Sequence, residues 1–176
     1  CNDGTVLGKF VSHFPNSEFI GFEVQSELIA RARKRFGGNS RVSIYETGVS
    51  DRLQISQLYL PKSYGVNFRG GASIIPEKVS PDNLFEVRKI LLIDLVQFLK
   101  SIREENAESF IVIKMDIEGA EYAIINALHE EFLKSNSCLL DYLIIEWHDE
   151  TLQSGKVRDD FYDMLKEMAV IRSDWV

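Results

Sequence analysis

This chain has little that would staple, anchor or electrostatically spread it. Cysteine is scarce: the 176 residues include only Cys1 and Cys138. A disulfide framework of the small secreted type is therefore excluded. Long apolar runs are absent. Runs such as Ile90 to Ile93 and Leu143 to Ile145 are strand-sized and far short of the ~18–20 residues that a membrane helix needs. Positive charge is in deficit, with 20 Lys+Arg against 27 Asp+Glu and a net charge of −7. That balance speaks against non-specific nucleic-acid binding, which depends on neutralising phosphates. There is no internal repeat, no low-complexity tract and no Pro/Gly-rich linker. No signal peptide opens the chain, which points to a cytoplasmic location, although a targeting or membrane segment upstream would be invisible. The abrupt start, Cys1-Asn2-Asp3-Gly4, reads as a fragment whose first strand would precede Cys1.

Hydrophobic residues make up 45% and charged residues 27%, the proportions of an ordinary globular domain. A single domain over residues 1–176 is expected, and its length suffices to bury a core without staples. Periodicity alternates along it. Val6, Leu7, Phe10, Val11 and Phe14 recur at helical spacing, stopped by Pro15 and Asn16. Phe19 to Val24 reads as a buried strand. Ser26 reads as the N-cap of a helix running to about Phe36, ended by Gly37 and Gly38. Its outer face carries Arg31, Arg33, Lys34 and Arg35, a solvated basic stripe. Val42 to Tyr45, Arg88 to Ile93, Phe110 to Met115 and Tyr142 to Glu146 read as strands. Asp94 reads as the cap of a helix, and another helix follows from about Gly119. Val157, Phe161, Met164, Leu165 and Met168 form one face of a late helix, and Ala169 to Val176 reads as a last strand. Residues 53–88 are irregular, with a strand through Leu53 to Leu60 in a hairpin. Strands alternating with helices indicate an α/β, Rossmann-like, doubly wound and mostly parallel sheet.

Such sheets bind ligands in the crevice outside the carboxyl ends of their strands. At one such end, Glu23 lies 19 residues beyond Gly4. An acidic residue about 20 residues after a glycine turn is the usual partner for ribose hydroxyls. The Gly-x-Gly-x-x-Gly fingerprint that admits a pyrophosphate is absent, so a ribose-bearing cofactor without one fits better, and S-adenosylmethionine is the natural candidate. A plain glycine turn followed by a solvated Glu is the alternative. At another strand end, Lys114, Asp116 and Glu118 alternate and share one face. Glu146 and His148 alternate at the next. Asp116, Glu118, Glu146 and His148 are thus expected to converge at neighbouring strand ends. The competing reading is a structural pair of Lys114 with Asp116 or Glu118, with Glu118 and Glu121 favouring the helix N-terminus.

Taken together, Asn2-Asp3-Gly4, Phe22-Glu23, Gly48-Val49-Ser50-Asp51, Gly71-Ala72-Ser73 and above all Lys114-Met115-Asp116-Ile117-Glu118-Gly119-Ala120-Glu121 resemble the FkbM-type methyltransferases. These are class I, S-adenosylmethionine-dependent enzymes that mostly methylate hydroxyls of sugars and natural products. The resemblance spans roughly residues 1 to 150. It implies that Asn2, Asp3 and Gly4 line the methionine end of the cofactor and that Glu23 holds the ribose. Val24, which stands where the family usually has proline, would leave that ribose contact less rigid. Backbone at Gly48, Val49 and Ser50 would flank the adenine, and Asp116 would lie near the sulfonium and the acceptor. The family's first strand would lie before Cys1.

Methyl transfer is an in-line displacement that needs alignment more than chemistry from the protein. A hydroxyl acceptor must also lose a proton, so a base helps. His148 is the first candidate because its ordinary pKa lies nearest neutrality, with Asp116 and Glu118 as rivals. His13 and His129 read as solvated or structural. Mg²⁺ or Mn²⁺ in the carboxylate–histidine cluster would lower the acceptor's pKa, but no fixed-spacing motif accompanies it and no metal ligand is assigned. The loop from Tyr64 to Ser73 is a candidate lid, with Arg69 and Lys62 available to a phosphate or carboxylate on the acceptor. The expected function is O-methylation of a small-molecule or glycan acceptor. The alternatives are an inactive, methyltransferase-like binding domain or another nucleotide-dependent enzyme on the same fold.

Overall fold

A computed structural model describes residues 1–61, 72–75, 85–117, 120–147 and 155–174. Along them run α1 (Thr5–His13), β1 (Phe19–Glu23), α2 (Ser26–Phe36), β2 (Val42–Glu46), β3 (Gly48–Ser50) and β4 (Gln54–Pro61). Then come β5 (Phe85–Asp94), α3 (Leu95–Glu105), β6 (Val112–Met115), α4 (Glu121–Ser135), β7 (Tyr142–Ile145), α5 (Gly155–Glu167) and β8 (Ile171–Asp174). The α/β class read from the alternation is what the chain forms.

The described strands make three ladders. β1 and β2 pair in parallel, from Phe19 opposite Val42 to Glu23 opposite Glu46. β5 is flanked by β3 in parallel and by β4 antiparallel, so the expected hairpin is real and longer than its periodicity suggested. β6, β7 and β8 lie side by side in parallel. Parallel neighbours cannot be joined by a tight turn. Accordingly α2 links β1 to β2, α4 links β6 to β7, and α5 links β7 to β8. The parallel pairs fit the expected sheet, but among the described residues they are not one continuous doubly wound ladder.

Local chemistry explains several boundaries. Asp94 caps α3 as expected, its Oδ1 accepting from the Gln97 amide at 3.0 Å. Ser26 does not cap α2. It is the first helical residue, and Gln25 stands at the cap with no side-chain bond. The reason lies one turn earlier, where the Glu23 carboxylate accepts the Val24 and Gln25 amides at 2.9 and 3.0 Å and turns the chain into the helix. β6 starts at Val112 rather than Phe110, and both of those side chains are exposed although an all-apolar strand was expected to be covered on both faces.

The core is one-sided. Leu95, Leu99, Met115, Ile124, Leu128, Leu143, Ile145 and Leu165 pack between α3, α4, α5 and the β6–β8 ladder. α1 contributes no fully buried residue, and Phe14, placed on its apolar face by spacing, is 52% exposed. The outer face of the β4–β5 ribbon leaves Ile55, Val87 and Leu91 in solvent. No described helix is long and apolar enough to cross a membrane. Lys62, Arg69 and most of the candidate lid lie outside the described residues; Ser73 is described, and its backbone pairs with Tyr59.

Candidate functional site

Glu23 ends β1, and its carboxylate is almost fully engaged by backbone. Oε2 accepts the Asn2 amide at 2.8 Å and lies 3.6 Å from the Cys1 amino group. Oε1 accepts the Val24 and Gln25 amides. A carboxylate offers about four lone-pair directions, and three of them take these backbone amides, which leaves room for about one hydroxyl donor. The N-terminal segment reaches this position because Gly21 has no side chain. A Cβ there would meet Ile44 Cδ1 at 2.9 Å and Cys1 at 3.0 Å. The Cys1 amino group, in turn, donates to the Phe22 carbonyl. The contact of Cys1 with Glu23 was missed in the sequence. Its one signal was a glycine inside an apolar strand, which often marks close backbone approach.

Asn2 sits at φ 55°, and its Oδ1 accepts from the Asp3 amide at 2.7 Å. Asp3 does local work: its Oδ1 accepts from the Thr5 amide at 2.9 Å at the start of α1. Hydrogen bonds from Thr5 hold the Asp3 carboxyl below its ordinary range. Gly4 adopts φ 81° and is packed on α2, where a Cβ would meet the Phe36 ring at 2.7 Å. It therefore serves the turn and the helix contact, and Asn2 is the member of this trio that touches Glu23.

Val24 and Gly48 are brought together. A Cβ on Gly48 would fall 3.1 Å from Val24 Cγ1 and 2.5 Å from Leu92 Cδ2, so no side chain fits there. Thr47 ties this floor to β5 by donating to the Leu91 carbonyl at 2.7 Å. Val49 packs against the core. Ser50 is buried, donating to Asp51 Oδ1 at 2.8 Å and accepting from Gln54 Nε2 at 3.1 Å. Its hydroxyl is committed within the protein.

On the other side, the β6 and β7 ends assemble a charged triad. Lys114 Nζ is 2.8 Å from Asp116 Oδ2 and 3.9 Å from Glu146 Oε2. The structural pair weighed for Lys114 thus exists, and it leaves the Asp116 side chain 38% exposed beside Lys114 at 20%. Pairing does not remove Asp116 from solvent or ligand. Glu118 and His148 lie outside the described residues. Among those described, no group of three or more His, Cys, Asp or Glu could hold a metal ion. His129 bonds Glu167 at 2.8 Å across α4 and α5, and His13 Nδ1 lies 2.7 Å from the Lys9 carbonyl. Both act within the framework.

Two clefts lie elsewhere. One is lined by Arg33, Phe36, Asn39, Val42 and Ile44, the other by Tyr162, Leu165, Val170 and Arg172. Both open near the amino ends of β2 and β8, opposite the strand ends where α/β sheets bind ligands. The strand ends carrying Glu23 and Asp116 are the candidate site on that ground.

Comparison with known proteins agrees with this choice of chemistry. The model of the methyltransferase FkbM domain matches residues 2–173. A curated relative, the 2-O-methyltransferase NoeI of Sinorhizobium fredii (strain NBRC 101917 / NGR234), is 24% identical over 163 residues. The match covers 89% of this chain and 64% of that protein, so the chain spans somewhat under two thirds of the relative's length. No solved structure matches the chain.

Proposed function

Because the chain belongs to the FkbM methyltransferase domain family, we propose that it forms an S-adenosylmethionine-dependent O-methyltransferase acting on a hydroxyl of a sugar or small natural product. The observation that carries this reading is that Glu23 ends β1, Gly48 follows β2, and the paired Lys114, Asp116 and Glu146 stand at the ends of β6 and β7, all at carboxyl ends of parallel strands. The relative's description as a 2-O-methyltransferase supports a hydroxyl acceptor. The same reading takes residues 1–176 as one domain with a Rossmann-like, doubly wound arrangement.

The donor set fits the cofactor. A carboxylate suits ribose hydroxyl donors, and the close packing of Leu92 and Val24 on Gly48 fixes the backbone that would flank the adenine. The cofactor supplies a methyl group already activated on a sulfonium sulfur. What remains for the chain is alignment and proton removal. Glu23 holds the ribose, with Asn2 and Val24 beside it. Asp3 and Gly4 shape the turn that presents Asn2, and Val49 and Ser50 brace the floor. Asp116 stands by the sulfonium end of the cofactor and orients the acceptor hydroxyl. His148 takes its proton, with Glu118 as the alternative base. Lys114 keeps Asp116 and Glu146, on adjacent strands, from repelling each other.

Calorimetry with S-adenosylmethionine and S-adenosylhomocysteine tests the reading. The parent protein should bind both, and Glu23→Ala should weaken binding by about 1.5–3 kcal/mol, the worth of hydrogen bonds to a charged group, while circular dichroism stays unchanged. Equal affinity in a folded variant would remove Glu23 from the ribose. Absence of binding by the parent would favour an inactive binding domain. That second reading has one observation behind it: backbone donors already occupy the Glu23 carboxylate.

A further inference from the structure

We infer that Glu121 is a positioning residue, a buried carboxylate that anchors the Ile117 amide and thereby aims Asp116. The inference rests on the reading of Asp116 as a site residue. Glu121 is 0% exposed, and among the described residues no other charged side chain is fully buried. Burying a carboxylate costs far more than burying an apolar side chain of similar volume, and core stability alone does not call for it. The position does have compensation. Glu121 is the first residue of α4, where the helix dipole favours negative charge. Its Oε1 accepts the Ile117 amide at 3.1 Å.

Ile117 directly follows Asp116 and packs against the main core cluster. Asp116 is therefore held from both sides. Before it, Met115 is fixed in register with Ile145, and the Met115 carbonyl accepts the Glu146 amide at 3.0 Å. After it, Ile117 is tied to a carboxylate seated beside Ile124 and Ile125 in the core. Lys114 constrains the side chain itself. A displacement of about 1 Å at a reacting group can cost ~10²-fold in rate, so an anchor at this place has a use that stability does not explain.

The test compares Glu121→Ala and Glu121→Gln with Leu128→Ala, a core truncation on the same helix and away from the site. Two quantities are read: amide exchange at Ile117 in the free protein, and calorimetric affinity for S-adenosylmethionine. Glu121→Ala should speed Ile117 exchange about tenfold or more, a local opening, and weaken binding about tenfold. Its melting temperature should fall no further than that of Leu128→Ala. Glu121→Gln, whose amide oxygen still accepts, should restore both quantities to within about threefold of the parent. Leu128→Ala should leave both unchanged while melting earlier. Should Glu121→Ala not fold, Glu121→Asp keeps the charge but shortens the reach, and should show the same losses. Retained Ile117 protection and affinity in Glu121→Ala, or no rescue by Glu121→Gln, overturns the proposal. If the parent binds no S-adenosylmethionine, the methyltransferase reading fails separately, and Ile117 exchange alone decides the role of Glu121.

Discussion

Between Thr5 and Glu46 only Gly21, Gln25, Ile29 and Ala32 are buried, whereas from Leu95 to Val170 the apolar side chains merge into one continuous cluster. The first region carries Glu23 and the second Asp116. Where packing is thin, arginines stitch the fold. Arg41 donates to the Phe14 and Ser17 carbonyls, each at 3.0 Å, Arg33 to the Ile44 carbonyl, and Arg35 to Thr5 Oγ1. The second region relies on shape: Ile124, Ile125, Leu143, Ile145 and Leu165 are fully buried. Directional bonds to exposed guanidiniums exchange with water at little net cost, while close packing does not tolerate lost volume. The proposed site thus draws Asp116 from a packed region and Glu23 from one held by hydrogen bonds rather than by packing.

Three substitutions probe that contrast, in descending order of effect. Leu143→Ala empties the centre of the packed region and should destabilise by about 2–5 kcal/mol in denaturant titration. A loss below about 1 kcal/mol would mean the two regions are alike. Asp116→Asn sharpens the comparison by separating function from support. It keeps the shape and a bond to Lys114, so stability should change by at most about 1 kcal/mol, as for a partly exposed pair. Turnover on a hydroxyl acceptor should fall about 10²-fold or more. Equal turnover would leave Asp116 as the structural partner of Lys114 only. Phe14→Ser, in the thinly packed region, should change stability by no more than about 0.5 kcal/mol. A larger loss would show that α1 leans on packing after all.

Much of the second region was legible beforehand, because burial leaves plain periodicity. The Asp94 cap, the Phe161, Leu165 and Met168 face of α5 and the buried strand β7 followed from spacing and capping chemistry. The first region was legible as elements but not as packing. Val6, Leu7, Phe10 and Val11 recur at helical spacing, yet each is only half-buried, since spacing shows that a face is apolar and not what covers it. Ser26 was misread as a cap because the carboxylate that turns the chain belongs to the preceding strand.

The candidate site divides along the same line. Lys114, Asp116 and Glu146 could be grouped from the sequence because alternation along a strand puts side chains on one face, and adjacent strand ends bring such faces together. The bonds around Glu23 could not. They come from the Asn2, Val24 and Gln25 nitrogens, and a backbone donor carries no residue-type signal. Nor could the sequence rank Glu121 above its acidic neighbours. By itself the sequence determined the α/β alternation, the family motif and the charged strand ends, because these depend on periodicity and residue type. The tertiary structure alone decided which carboxylate is held by backbone amides, which is buried and which stays open beside Lys114. Burial and hydrogen-bond partners are set by segments that meet only in the folded chain.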